Sequence, residues 1–132
     1  LNLEIAVGYE MRGSSRRDPL EWSKLIDAWS SFRIPLYLTL VFPSSHAEDK
    51  LANPDLEISP HSWKTTLSPE QQTAWVDEFL SHLLSKPGVS GLFWEHYSDA
   101  APHLFPNGGL IDTHGTPKPA LEKIRQLGAE YL

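Results

Sequence analysis

The 132-residue sequence contains no cysteine, so it has neither a disulfide framework nor a thiolate metal site, and its redox compartment stays open. No apolar run approaches the roughly 18 residues that span a bilayer, and we therefore expect no membrane partner. Acidic residues outnumber basic ones by 17 to 11, which gives a net charge of −6. This excess of negative charge disfavours nucleic acid as a partner.

Common catalytic signatures are absent as well. The sequence has no nucleophile elbow, phosphate-binding loop, dinucleotide fingerprint or His-Glu-x-x-His motif. Asn107-Gly108-Gly109 indicates a turn and not a phosphate cradle. The chain begins Leu1-Asn2 and its only methionine is Met11. We therefore expect a processed or excised piece of a longer protein.

The amino-acid composition is typical of a folded domain. Hydrophobic residues make up 40% of the chain and five of them are tryptophan, which argues against disorder. A chain of this length buries on the order of two-thirds of its unfolded surface. We interpret residues 1–132 as one segment.

Three strand–helix units follow one another. Apolar runs at 3–9, 36–42 and 89–94 predict buried strands, and the second is expected to be central. The predicted helices start at Asp18-Pro19, Ser68-Pro69 and Pro119 and run to about residues 32, 84 and 128. This alternation predicts an α/β fold with parallel strands and right-handed crossovers.

The loop after the third strand carries the chemistry expected at the carboxyl end of a parallel sheet. Its sequence, together with the start of the last helix, resembles the last strand, loop and helix of glycoside hydrolase family 10, the xylanase-type (β/α)8 barrels. The matching residues are Phe93, Trp94, Asp99, Leu110, Asp112, Lys118, Pro119 and Ala120.

This resemblance implies that the three units are the sixth, seventh and eighth of a TIM-type (β/α)8 barrel, which the chain alone leaves incomplete. Thr39 matches the threonine on the family's seventh strand, but Leu40 stands where the family has its nucleophilic glutamate. The family's acid/base glutamate lies on a fourth strand that this chain does not contain. A retaining glycosidase needs both carboxyl groups, so we expect no hydrolysis by this chain alone.

Five residues are candidates for the site. Glu10 and Glu95 would both sit at carboxyl ends of strands, where they could form an acid/base pair, although solvated loop residues are the alternative. We predict that Trp94, Tyr97, Glu10 and Asp99 contact substrate. For Trp94, a place in the core is equally compatible with its position at the end of a strand.

The spacing His96-x-x-Asp99-x-x-x-His103 offers imidazole and carboxylate groups that zinc could use. It matches no established metal motif, and histidines that are exposed or hydrogen-bonded explain it as well. The sequence therefore predicts neither a metal nor a cofactor.

The leading hypothesis is a part of a glycoside-hydrolase-like protein that acts on or binds xylan-type β-1,4-linked plant polysaccharide. A non-catalytic carbohydrate-binding or interaction module on a barrel scaffold is the second hypothesis, and a small flavodoxin-like domain is the third. In the first case the unpaired strands would pair with the missing N-terminal part of the barrel or self-associate. The compartment stays open, and the resemblance is compatible with a secreted parent.

Overall fold

The structure is a computed structural model that describes residues 1–10, 19–58 and 67–131. Within these ranges the chain forms an α/β fold with three helices, a three-stranded parallel sheet and a two-stranded antiparallel sheet. In chain order the elements are β1 (Asn2–Ala6), β2 (Tyr9–Glu10), α1 (Pro19–Ser30), β3 (Leu36–Val41), β4 (Glu57–Ile58), α2 (Pro69–Leu84), β5 (Val89–Trp94) and α3 (Pro119–Tyr131).

The parallel sheet has the strand order β1–β3–β5. Its three strands therefore lie side by side in the order in which they occur along the chain. Leu40 marks the register, because it is opposite Ile5 on one side and Trp94 on the other. The predicted central position of the second strand is confirmed. This sequential order is what consecutive units of a barrel produce, and it is consistent with a partial barrel.

The helix starts follow local capping chemistry. Ser68 caps α2, because its hydroxyl oxygen accepts a hydrogen bond from the backbone N–H of Gln71 at 3.0 Å, and Pro69 occupies the first helical position. The predicted start of α2 is therefore confirmed. The predicted cap Asp18 of α1 lies outside the described residues. The helix α3 continues to Tyr131, past the predicted end near Gly128, whose added Cβ would meet nothing within 4 Å.

One face of the parallel sheet carries the helices. The even-numbered residues of β3 point into a single apolar core that includes side chains of all three helices. The buried residues of that core are Ile5, Val7, Ile26, Leu36, Leu38, Leu40, Phe42, Leu67, Trp75, Val76, Phe79, Leu80, Leu83, Leu110, Ala120 and Leu127. Within this core Trp75 stacks on Phe42 with ring centroids 4.8 Å apart.

The opposite face of the sheet is open around Tyr37 and Phe93. Tyr37 and Phe93 lie on it with ring centroids 6.2 Å apart, and their side chains are 42% and 55% exposed. Thr39 on the same face donates a hydrogen bond to Asn2 at 3.1 Å. At the carboxyl end, Val41 is covered by a second small cluster that the loops supply. The face that a barrel would turn inward is therefore only partly covered.

The prediction of one strand over residues 3–9 was wrong at its end. Gly8 adopts a left-handed conformation with φ 89°, which turns the chain out of β1. Tyr9–Glu10 then pairs antiparallel with Glu57–Ile58, a pairing that the sequence did not predict. Among the described helices, none is long and apolar enough to cross a membrane.

We predict that the open face drives self-association of the isolated chain. Replacing Phe93 by lysine (F93K) removes an exposed ring and adds the charge that protects natural sheet edges. The dissociation constant measured by light scattering across a concentration series should rise roughly tenfold or more, as expected for loss of a central aromatic contact.

The matched control is Leu104→Lys, which makes a comparable change at a loop residue that is 43% exposed. Its association should equal that of the unchanged chain. A wild-type chain that stays monomeric at every concentration would contradict the prediction.

Candidate functional site

The loop between β5 and α3 is held in place by the carboxylate of Asp99, which is 3% exposed. Its Oδ1 accepts a hydrogen bond from the backbone N–H of Gly109 at 2.8 Å, and Oδ2 accepts one from Lys118 Nζ at 2.6 Å. Burial alone would raise the pKa of Asp99, but hydrogen bonds from His96, Lys118 and Gly109 outweigh burial and lower it to about 2. This carboxylate is therefore ionised and internally paired.

Lys118 is the buried cation of this network. Its ammonium group donates to Ser44 Oγ at 2.9 Å and lies 3.3 Å from the carbonyl oxygen of Asn107, in addition to its ion pair with Asp99. Both charged side chains are nearly inaccessible, at 6% and 4%. Because Ser44 follows β3, Lys118 ties the end of the central strand to the start of α3.

The predicted turn Asn107-Gly108-Gly109 is present and needs its glycines for close approach. A Cβ added to Gly108 would lie 2.6 Å from Val41 Cγ2, and one added to Gly109 would lie 2.7 Å from the carboxylate of Asp99. Asn107 has φ 54°, a left-handed conformation that asparagine tolerates. The turn packs against the sheet and binds Asp99, so its glycines have a structural role.

A second polar cluster adjoins the first. His103 Nε2 lies 2.6 Å from Asp49 Oδ2 and 3.8 Å from Asp99 Oδ1, and His96 Nε2 lies 3.2 Å from Asp99 Oδ1. The two imidazole rings stack with centroids 4.5 Å apart. Asp49 comes from the loop after β3, and the sequence spacing gave no sign that it joins His103. The structure therefore unites the spaced His-Asp-His residues and adds a fourth partner.

Tyr9 closes this end of the sheet. Its hydroxyl donates to the carbonyl oxygen of Pro106 at 2.7 Å, and its ring packs against Phe105 with centroids 5.0 Å apart. Burial, followed by the charges of Asp99 and Asp49, raises the pKa of Tyr9 well above its ordinary value. The hydroxyl therefore stays protonated and able to donate.

The predicted substrate-contacting residues differ in how far their side chains are exposed. Trp94 packs partly buried against the helix-side core, and its indole N–H donates to the carbonyl oxygen of Gly108 at 2.7 Å. Tyr97 is 60% exposed, whereas Asp99 is buried in the ion pair. The structure thus brings these three residues into one loop but exposes chiefly Tyr97. Their contact with substrate stays a prediction.

The two candidate carboxylates are not seen as a pair. Glu10 lies in β2, and its side chain falls outside what the structure describes. Among the described side chains, Glu4 of β1 interacts with Glu95, a contact that the sequence did not predict because Glu4 interrupts an apolar run. Burial, and then the charge of Glu4 and a hydrogen bond with it, raise the pKa of Glu95. The alternation of β1 could have indicated that Glu4 lies on the face opposite Ile5.

Leu40 is 1% exposed and belongs to the core on the helix side of the sheet. A glutamate at this position would place a carboxylate among apolar side chains, where an unpaired charge is strongly disfavoured. The position is therefore part of the packing in this chain and presents no group to a substrate.

Two clefts open at the carboxyl end of the sheet. One has a volume of about 660 Å³ and is lined by residues of the loop after β3, including His46 and Lys50. The other, of about 430 Å³, lies beside the starts of α2 and α3 and includes Ser68 and Asp112 in its lining. Volumes of this size are typical of small-molecule sites.

Two solved structures with a similar backbone are β-glucuronidases. The Bifidobacterium dentium enzyme, in complex with coumarin-3-O-glucuronide, matches 97% of this chain and 20% of its own, with a TM-score of 0.63 and 14% identity. The Faecalibacterium prausnitzii enzyme matches 98% of this chain and 21% of its own, with the same TM-score and identity. This chain therefore spans about a fifth of their length.

At this identity the likeness shows the fold alone. It supports a glycoside-hydrolase-like fold, consistent with a partial barrel, and does not single out glycoside hydrolase family 10. No known protein family matches the sequence, and no curated protein matches it.

We predict that Lys118→Met strongly destabilises the chain. The substitution leaves Asp99 buried without its cation, and breaking a buried pair in this way costs about 3–5 kcal/mol. Urea unfolding followed by tryptophan fluorescence measures the change in the free energy of unfolding.

Lys123→Met is the matched control, because Lys123 lies 3.9 Å from Asp77 with both side chains partly exposed. Such surface pairs contribute about 0–1 kcal/mol. Equal unfolding midpoints for the two variants would show that the ion pair of Asp99 does not hold the loop.

Proposed function

We propose that this chain is the C-terminal part of a glycoside-hydrolase-like protein that acts on or binds a xylan-type β-1,4-linked polysaccharide. In this proposal the chain contributes to glycan binding at the carboxyl end of the sheet. The chain alone does not hydrolyse the glycan. Its support is the sequential parallel sheet, the fold shared with glycosidases, and the family-10-like order of residues in the last loop and helix.

The observation that carries the proposal is an exposed aromatic ring on an ordered loop. The carbonyl oxygen of Tyr97 accepts hydrogen bonds from the backbone N–H groups of Leu110 and Ile111, each at 2.9 Å, while its side chain is 60% exposed. Aromatic rings present a flat apolar face beside a polar group, which suits the faces and hydroxyls of a sugar. A ring whose backbone is already fixed loses less entropy on binding.

In this proposal Tyr97 contacts the sugar, and Trp94 and Asp99 hold the loop. Glu10 would supply a further hydrogen-bonding group. The glycan class rests on the resemblance to xylanases. The missing N-terminal part of the barrel would pair with the edges of β1 and β5 and complete the binding surface.

A non-catalytic carbohydrate-binding module is the second candidate function. It is favoured by the packing of Leu40, because the position of the family's nucleophile is filled by an apolar core side chain. Glu4 and Glu95 are the carboxyl groups that the described part of the open face offers instead. The two candidates differ in whether the complete parent hydrolyses the glycan that it binds.

We predict weak binding of xylo-oligosaccharides to the isolated chain. Titration of xylohexaose, followed by tyrosine and tryptophan signals in NMR spectra, should give an affinity that falls roughly 2- to 12-fold in Tyr97→Ala. This range corresponds to about 0.5–1.5 kcal/mol for the stacked ring. Xylan incubated with the same protein should release no reducing ends above a buffer blank.

Tyr37→Ala is the control, because Tyr37 is 42% exposed but lies near the amino end of the sheet. Its affinity should match that of the unchanged chain. An equal response of the Tyr97→Ala variant would remove Tyr97 from the site, and hydrolysis that Glu95→Gln abolishes would overturn the expectation of an inactive chain.

A further inference from the structure

Two loops meet in a buried cluster of nitrogen and oxygen donors. Asp49 belongs to the loop after β3, and His96, Asp99 and His103 belong to the loop after β5. The side chains of Asp49, Asp99 and His103 are 2–4% exposed and that of His96 is 15% exposed. Histidine nitrogens and carboxylate oxygens together form a typical ligand set for zinc.

The ring of His103 indicates where a cation would sit. Its Nδ1 lies 2.7 Å from the carbonyl oxygen of Ala101, which can only accept, so Nδ1 carries the hydrogen. In the neutral ring Nε2 then holds a lone pair, and this lone pair faces Asp49 Oδ2 at 2.6 Å. A hydrogen on Nε2 satisfies both atoms, and a metal ion that lies against both atoms does so as well.

The neighbouring histidine brings a second imidazole to the same place. His96 Nε2 faces Asp99 Oδ1 at 3.2 Å, and its ring stacks on that of His103 at an interplanar angle of 20°. The Nε2 of His96 donates to Asp99 when it carries the hydrogen, and it can bind a metal ion when the hydrogen is on Nδ1. One divalent ion would contact both Nε2 atoms and both carboxylates. Within the described residues, Nδ1 of His96 has no hydrogen-bond partner.

The spacing of the donors approaches that of a tetrahedral site. Zinc held at roughly 2.0–2.1 Å separates neighbouring ligand atoms by roughly 3.3 Å. Three separations lie on both sides of that value: 2.6 Å for Asp49 with His103, 3.2 Å for His96 with Asp99 and 3.8 Å for His103 with Asp99. The ligand atoms of His96, Asp99 and His103 all lie within 4.8 Å of one another. Shifts of up to roughly 1.5 Å in these separations would complete the geometry.

The surroundings are those of a metal-binding cluster. Backbone N–H groups support both carboxylates, from Asn107 to Asp49 at 2.9 Å and from Gly109 to Asp99 at 2.8 Å, and the bond from His103 to Ala101 fixes the ring. Lys118 neutralises one carboxylate, so with neutral imidazoles the cluster keeps one negative charge. A cation is therefore favoured there.

We propose that Asp49, His96, Asp99 and His103 bind one zinc ion that joins the two loops. Four protein ligands leave no open coordination position, so the role of the ion is structural. The ion would fix the loop that carries Tyr97 to the loop after β3.

Calorimetric titration of zinc chloride into the full, EDTA-treated chain tests the proposal, with metal analysis of the loaded protein. We expect one zinc per chain, a rise in thermal unfolding temperature on loading, and affinity at least about tenfold lower in His103→Ala and in the shape-conserving Asp49→Asn. His114→Ala, which changes an exposed histidine of the same loop, should bind zinc as the unchanged chain does.

Zinc affinity that is absent, or equal in the unchanged chain, His103→Ala and Asp49→Asn, would overturn the proposal. Nitrogen NMR of the histidine rings gives a readout that does not depend on variants. Zinc should shift the Nε2 signals of His96 and His103, whereas a doubly protonated His103 at neutral pH that zinc leaves unchanged would identify the contact with Asp49 as a plain ion pair.

Discussion

The structure depends on a parallel sheet whose helices all pack against one face. Leu36, Leu38 and Leu40 of the central strand enter one core with side chains of α1, α2 and α3. The alternate residue Tyr37 remains exposed on the other face. Successive strand residues point to opposite faces of the sheet. The helices cover one face, so the side chains on the other face need a different partner. In a (β/α)8 barrel that partner is the rest of the barrel.

The same constraint explains why the carboxyl end of the sheet is the most ordered polar region. Without helices on that face, the loops after β3 and β5 must cover Val41 themselves. They do so through the buried pair of Asp99 and Lys118, and the glycines of the turn allow the backbone to approach. An internally paired carboxylate holds a loop well and is unsuited to attack a substrate. Asp99 therefore has a structural role at the carboxyl end of the sheet.

Much of the fold could be predicted from sequence because it rests on local signals. Apolar runs and Ser-Pro or Pro helix starts indicated the bounds of β3, β5, α2 and α3 closely. The expectation that these strands are buried was only partly right, because Tyr37 and Phe93 are exposed on the open face. The pairing of β2 with β4 was missed, since it depends on the turn at Gly8 and on two-residue strands distant in sequence. For the site, the order of residues after β5 indicated that the loop between β5 and α3 carries the polar groups. The contact of Asp49 with His103 and that of Glu4 with Glu95 are set by tertiary packing, so no spacing could show them.

The central claim is a parallel sheet with one covered face and, within the described residues, unpaired outer edges on β1 and β5. It is tested most directly by amide hydrogen exchange on dilute, monomeric chain. We expect the amides of β3 to be the most protected, because they face neighbours on both sides. The amides of β1 and β5 that point away from β3 should exchange almost as fast as those of exposed loops. Uniformly strong protection of all three strands in the monomer would contradict the account, since it would show that the sheet is closed within this chain.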